Sequence, residues 1–198
     1  FRTGEVFSAS FFTKNMKNPI ERVIVDYDGE TTFSNVDEAT VTGLELEARS
    51  ALDLVHPALA RYTVGANCSF VKSIVDIPEE ELVFIRAYDP DAGTTRPFMG
   101  QSPYIFNLDL SYENQEMGVS STLFYNIYGK RLSENSLGGT PDVYEKPFLT
   151  LNYSFTKKVT SHIKFKVSAK NILNSEEKKV QNYKGKEFVR SSFGRGRT

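Results

Sequence analysis

The side chains that could do chemistry in this sequence are few and scattered. Asp26-Tyr27-Asp28-Gly29-Glu30 and Asp89-Pro90-Asp91-Ala92-Gly93 are acidic enough to suggest calcium loops. Neither has a third acidic ligand, a following glycine and a distal bidentate glutamate at the spacing such a loop requires, so both read as solvated turns. Arg86, Tyr88 and Arg96 occupy one loop stretch. Their guanidinium groups could pair bidentately with the carboxylates of an anionic small molecule such as a ferric chelate. An ordinary charged loop accounts for the same residues and is the preferred reading. Cys68 is the lone cysteine, and with only His56 and His162 beside it the chain has neither an internal disulfide nor a Cys/His metal site. Gly194-Arg195-Gly196-Arg197 has the form of a nucleic-acid-binding tract, but the start of a strand explains it as well, and a net charge of -1 carries no nucleic-acid footprint. No nucleophile and base, and no paired carboxylates, stand at an interpretable spacing. The sequence therefore points away from an enzyme and calls for no metal or cofactor.

What remains is a set of long alternating strands. From Ser102 to Gly129, Tyr104, Phe106, Leu108, Leu110 and Tyr112 fall on one side of a period of two, and Asn107, Asp109 and Ser111 on the other. After the turn Glu113-Asn114-Gln115-Glu116 the pattern repeats, with Val119, Ser121, Leu123, Tyr125 and Ile127 opposite Ser120, Thr122, Asn126 and Tyr128. Phe124 is the exception. Each run is about ten residues, longer than a usual soluble strand and close to what a tilted strand needs to cross a bilayer. Tyrosines at both ends of the apolar row suit two membrane interfaces.

Further strands are predicted at Val6 to Lys14, at Ala39 to Arg49, from Tyr62 to Phe70, from Leu149 to Phe155 and from Ile163 to Ala169. In the second of these, Leu44, Leu46 and Ala48 oppose Glu45, Glu47 and Arg49. Leu151, Tyr153 and Phe165 fall with the apolar rows of the later strands; Asn152, Lys164 and Lys166 fall opposite. The Lys164, Lys166 and Lys170 face, like the Glu45 and Glu47 face, suits a polar lumen or plain water equally well.

The connections alternate in length: long (15–38), short (51–60), long (75–101, read as irregular), short (113–117), long (130–146, with Gly138-Gly139), short (156–160) and long from 173. A membrane meander does this, with short turns on one side and long loops on the other. A soluble β-sandwich binding module would have shorter strands and no reason for the alternation. No apolar run of 18 residues exists, which excludes a spanning helix and leaves a spanning barrel open. Aromatic content of 13%, from 15 Phe and 10 Tyr, can supply interfacial girdles. The fold expected is all-β: an antiparallel up-and-down meander of about seven or eight long strands, part of a transmembrane β-barrel.

Five segments taken in this order resemble a known family: SASFFTKNMKNPIE from Ser8, NVDEATVTGLELEAR from Asn35, GQSPYIFNLDLSYEN from Gly100, FYNIYGKRL from Phe124 and SAKNILN from Ser168. The strand containing Gly43-Leu44-Glu45, the Pro103 to Tyr112 strand, the exit Tyr128-Gly129-Lys130-Arg131, and Asn171 before Leu173 carry most of the likeness. Together they are similar to the C-terminal barrel of TonB-dependent outer-membrane receptors. The resemblance implies a barrel of about 22 strands filled by an N-terminal plug. It also implies uptake of a scarce nutrient (a chelated metal such as a ferric siderophore, a vitamin or an oligosaccharide), driven through the TonB energy-transducing complex.

On this reading residues 1–198 are one part of the barrel, and the plug, the TonB-contacting segment and the final strand with its terminal aromatic are not among them. The chain begins at Phe1, and about seven strands are too few to close a single-chain barrel. The expected partners are outer-membrane lipid, the receptor's own plug, TonB and a small-molecule or oligosaccharide substrate, with no nucleic acid. Tyr104, Phe106, Leu108, Leu110, Tyr112, Leu123, Tyr125, Leu151, Tyr153 and Phe165 are expected to face lipid. Glu45, Glu47, Asn107, Asp109, Asn126, Asn152, Lys164 and Lys166 are expected to face the lumen. A porin-like or adhesin-translocator barrel is the alternative within membranes.

Overall fold

The computed structural model describes residues 4–26, 28–137 and 140–198; Phe1, Tyr27, Gly138 and Gly139 of the stretches above lie outside them. In chain order the strands are β1 (Val6–Lys17), β2 (Ile20–Ile24), β3 (Thr31–Asn35), β4 (Glu38–Ala51), β5 (Tyr62–Asp76), β6 (Thr95–Arg96), β7 (Tyr104–Asn114), β8 (Val119–Tyr128), β9 (Arg131–Ser136), β10 (Val143–Glu145), β11 (Phe148–Lys158), β12 (Lys164–Ala169), β13 (Glu176–Tyr183) and β14 (Lys186–Gly194), with the helix α1 (Glu79–Tyr88) between β5 and β6.

The meander is as the alternation predicted. Strands β1, β4, β5, β7, β8, β11 and β12 pair in that order, each antiparallel to the next, and β6 adds two residues to the end of β5. Cross-strand pairing turns the period of two into two continuous faces. Phe11, Leu44, Phe70 and Tyr104 are successive partners, as are Leu46, Cys68, Phe106 and Ile127, and Leu110, Leu123 and Tyr153. All ten residues expected to face lipid lie on this apolar face, and all eight expected to face the lumen lie on the other. No layer of the described chain covers the apolar face: Leu108 and Leu110 are 38% and 41% exposed. A soluble sandwich would bury this row first.

The polar face is organised by rows. In one, Asn107 donates to Asn67 (2.7 Å) and accepts from Asn126 (2.5 Å), a ladder crossing three strands. Phe124, the residue out of pattern, sits in the next row between Asp109 and Asn152. Two glycines on this face make room for a neighbour's side chain. A Cβ on Gly43 would lie 2.5 Å from the Phe12 ring, and one on Gly65 would lie 2.3 Å from Asp109 Oδ1. At the β7–β8 turn, Asn114 Oδ1 accepts from the Met117 amide (3.1 Å) and Gly118 takes φ +62°.

Most of the tightest core lies outside the meander, which contributes Ala39 and Val75 from the ends of β4 and β5. Val23, Ile24, Leu132, Val143 and Val180 are each at most 2% exposed, and all belong to a second sheet with the order β14-β13-β10-β9-β2-β3. It is knitted from the long connections, which the up-and-down topology gathers at one end. Three expectations change here. The stretches 15–38 and 130–146, read as long connections, carry β2, β3, β9 and β10. The connection from 173 carries the β13–β14 hairpin. The segment 75–101, read as irregular, contains α1. Glu79-Glu80-Glu81 fill the first turn of that helix, where the N–H groups are unpaired and the macrodipole favours negative charge, and Leu82 is its buried anchor. The second sheet is also not wholly antiparallel, since β2 runs parallel to β9 through Val23↔Asn135 and Ile24↔Ser136.

Candidate functional site

The second sheet and α1 form a folded cap over one end of the wall, and the side chains with binding chemistry concentrate there. Where the polar face meets the cap, Glu145 on β10 receives Arg131 bidentately, from Nε at 2.9 Å and Nη2 at 3.1 Å. Tyr128 donates its hydroxyl to the same carboxylate, and the Arg131 guanidinium stacks 4.3 Å over the Tyr128 ring. Burial alone would raise the Glu145 carboxyl, but the hydrogen bonds from Arg131 and Tyr128 hold it below the usual range. Gly129 lets the Tyr104 ring pass, since a Cβ there would meet it at 2.8 Å. The Tyr128-Gly129-Lys130-Arg131 exit is thus a clamp for Glu145 built around one close approach.

A cleft of about 400 Å³ opens beside this clamp, lined by Asn126, Tyr128, Phe148, Lys179, Phe193 and Arg195 among others. Its aromatic faces and mixed charges can bind and orient a polar molecule. Deeper in the cap, Glu134 gathers Lys179 at 3.2 Å, with Arg22 and Arg190 each at 3.8 Å, and so ties β2, β13 and β14 to β9.

The three loop residues singled out from sequence go to three places. Arg96 is buried and paired with Glu21 at 2.6 Å; the other carboxylate oxygen of Glu21 accepts from the Met99 amide (3.0 Å). Arg86 is exposed, reaching the Ala92 carbonyl at 3.5 Å. Tyr88 donates to the Thr140 carbonyl at 3.5 Å, and burial pushes its hydroxyl up. No single cleft brings the three together: Arg96 lines one and Arg86 another. Of the acidic stretches, the Asp26 carboxylate accepts from the Glu30 amide at 2.9 Å and the Asp89 backbone carbonyl from the Ala92 amide at 3.1 Å, each closing its own turn. Among the described residues no three acidic, histidine or cysteine side chains could hold a metal.

Sequence reasoning missed the partners of the pattern residues. Asn171 takes φ +50° and is 6% exposed. It exchanges hydrogen bonds with Ser175 and donates to the Gly196 carbonyl, and its amide bonds Asn152 (2.9 Å). An asparagine just past an alternating run is the signal for such a left-handed hub.

A meander apolar on one uncovered face, polar on the other and capped at one end is the wall of a membrane β-barrel. The TonB dependent receptor-like, beta-barrel family matches residues 1–172, and the chain belongs to that family. Its members are outer-membrane receptors and transporters, not enzymes, which sets aside the sandwich and the porin or adhesin readings. No curated protein and no solved structure matches the chain.

Proposed function

We propose that this chain forms part of the barrel wall and outer mouth of a receptor that captures a scarce nutrient at the cell surface. The candidates are a chelated metal such as a ferric siderophore, a vitamin and an oligosaccharide. The observation that carries the reading is the coincidence of three features on one sheet: an uncovered apolar face, a polar face with asparagine and charge rows, and a folded cap made from every long connection. The apolar face meets lipid, the polar face meets the lumen and plug, and the capped end lies outside, where long loops of such barrels project. TonB acts through a plug held inside the polar face.

An epitope tag at Asp91 and another between Glu116 and Gly118 test the orientation on intact cells. The Asp91 tag should be stained by antibody and the Glu116 tag should not. The reverse staining would put the cap in the periplasm and end its role in capture.

A further inference from the structure

We propose that the cleft between α1 and the β3–β4 corner binds a short basic peptide. This cleft, about 570 Å³, is the one Arg96 lines. Asp37, Glu38, Asp76 and Glu80 stand around it, all exposed, and no ion pair within the described chain neutralises any of them. Carboxylates alone would be a solvated face. Two buried side chains in the same wall distinguish this cleft. Arg96, with a side chain 5% exposed, uses Nη2 on Glu21 and leaves Nε and Nη1 without an acceptor. Asn135, 1% exposed, donates to Glu81 (3.1 Å) and leaves Oδ1 without a donor.

Unused buried donors and acceptors are costly unless something meets them. A peptide bond offers both halves, a carbonyl for Arg96 and an N–H for Asn135. Lysine or arginine side chains would supply the charge that the four carboxylates lack, with their aliphatic stems on Phe84, itself 57% exposed, and Leu137. An anion would meet four like charges. A bare metal ion finds no three converging ligands among the described residues and a guanidinium in the wall. The volume is in the range of ordinary small-ligand sites. For access from outside, this assignment rests on the orientation proposed above; binding to purified protein does not.

Calorimetric titration of the full-length protein in detergent with Lys-Leu-Lys-Leu amide, Glu-Leu-Glu-Leu amide, maltotriose and calcium chloride tests it. The basic peptide should bind saturably and at least tenfold more tightly than the acidic one, with affinity falling as salt rises. The double substitution Asp37→Asn, Glu80→Gln removes two exposed charges that make no ion pair and leaves Glu79 and Glu81 in the first turn of α1; it should weaken the basic peptide about tenfold. Equal affinity for both peptides, no response to the double substitution, or binding of only maltotriose or calcium would overturn the assignment. If the peptide binds but intact cells do not take it up, the cleft stands and import of this ligand fails.

Discussion

The carboxylate of Asp109 on β7 lies 3.9 Å from the guanidinium of Arg49 on β4, with the whole of β5 between them. The residue that separates them in register is Gly65, and the carboxylate passes over its bare backbone. Gly65→Ala would place a Cβ against the end of a flexible side chain, so the chain should accept it at a cost of about 1 kcal/mol or less, as for a partly exposed pair. The coupling should nevertheless vanish. A double-mutant cycle on Arg49 and Asp109 should give a measurable interaction with Gly65 present and none in the Gly65→Ala background. An unchanged coupling would mean that the two charges meet by another path.

The two faces of the meander predict opposite responses one residue apart. Leu108→Arg puts a charge in the middle of the apolar row and should cost about 2–4 kcal/mol in reversible folding into lipid vesicles. Asn107→Arg, in the asparagine row, should cost far less. Equal costs at both positions would mean that the faces do not separate lipid from lumen.

Buried Glu21 depends on Arg96. Arg96→Met removes the partner and leaves a carboxylate whose side chain is 0% exposed, which should destabilise the cap by about 3–5 kcal/mol. Adding Glu21→Met should recover most of that loss, because no buried charge is then left alone. Limited proteolysis of the inserted barrel reads the effect: cleavage should rise in the β2–β3 hairpin and in the segment from α1 to β6 in the single variant and fall again in the double one. The meander should stay protected throughout.

Asp142 gives the cap a pH dependence. Its carboxyl accepts from the Ser136 amide at 3.0 Å, yet burial, together with Glu81 and Glu21 and against Arg96, pushes it up to about 6. A carboxyl that binds its proton more tightly when folded adds stability that is complete below about pH 4 and lost as pH rises through 6. The β9–β10 region should therefore open more readily at pH 7.5 than at pH 4.5, by on the order of 1–3 kcal/mol. Hydrogen exchange at Ser136 and Leu137, corrected for intrinsic rates, should show this difference, and Asp142→Asn should abolish it. A difference that survives the substitution would assign the titration to another group.

The meander was legible in the sequence because its strands are long, strictly alternating and paired with near neighbours. The apolar row from Tyr104 to Tyr112 needs only its period of two to declare a face. The cap was not legible, for physical reasons that differ by element. Strands β2, β9 and β10 have three to six residues, too few to display a period, and beyond its hairpin with β3, β2 finds a second partner in β9, far along the chain. Arg96 looks like any loop arginine until Glu21, brought in by β2, neutralises it. The helix did announce itself, through Pro78 followed by three glutamates and an apolar run, but the surrounding turn residues outweighed that signal. Asn135 and Asn171 lie in polar stretches, and only the fold shows them buried.

The parallel pairing of β2 with β9 also bears on how such a receptor can change over generations. Loops that project separately can be exchanged one at a time, each new sequence tried against the same scaffold. Here the segment after β1 completes its hydrogen bonds on the segment after β8, and that segment in turn supports the hairpin after β12. A foreign loop inserted at any one of these points would arrive without its neighbours' edges. New specificity at this mouth should therefore be inherited as a block, with substitutions in 18–37, 129–147 and 176–194 changing together and the apolar rows of the wall left alone.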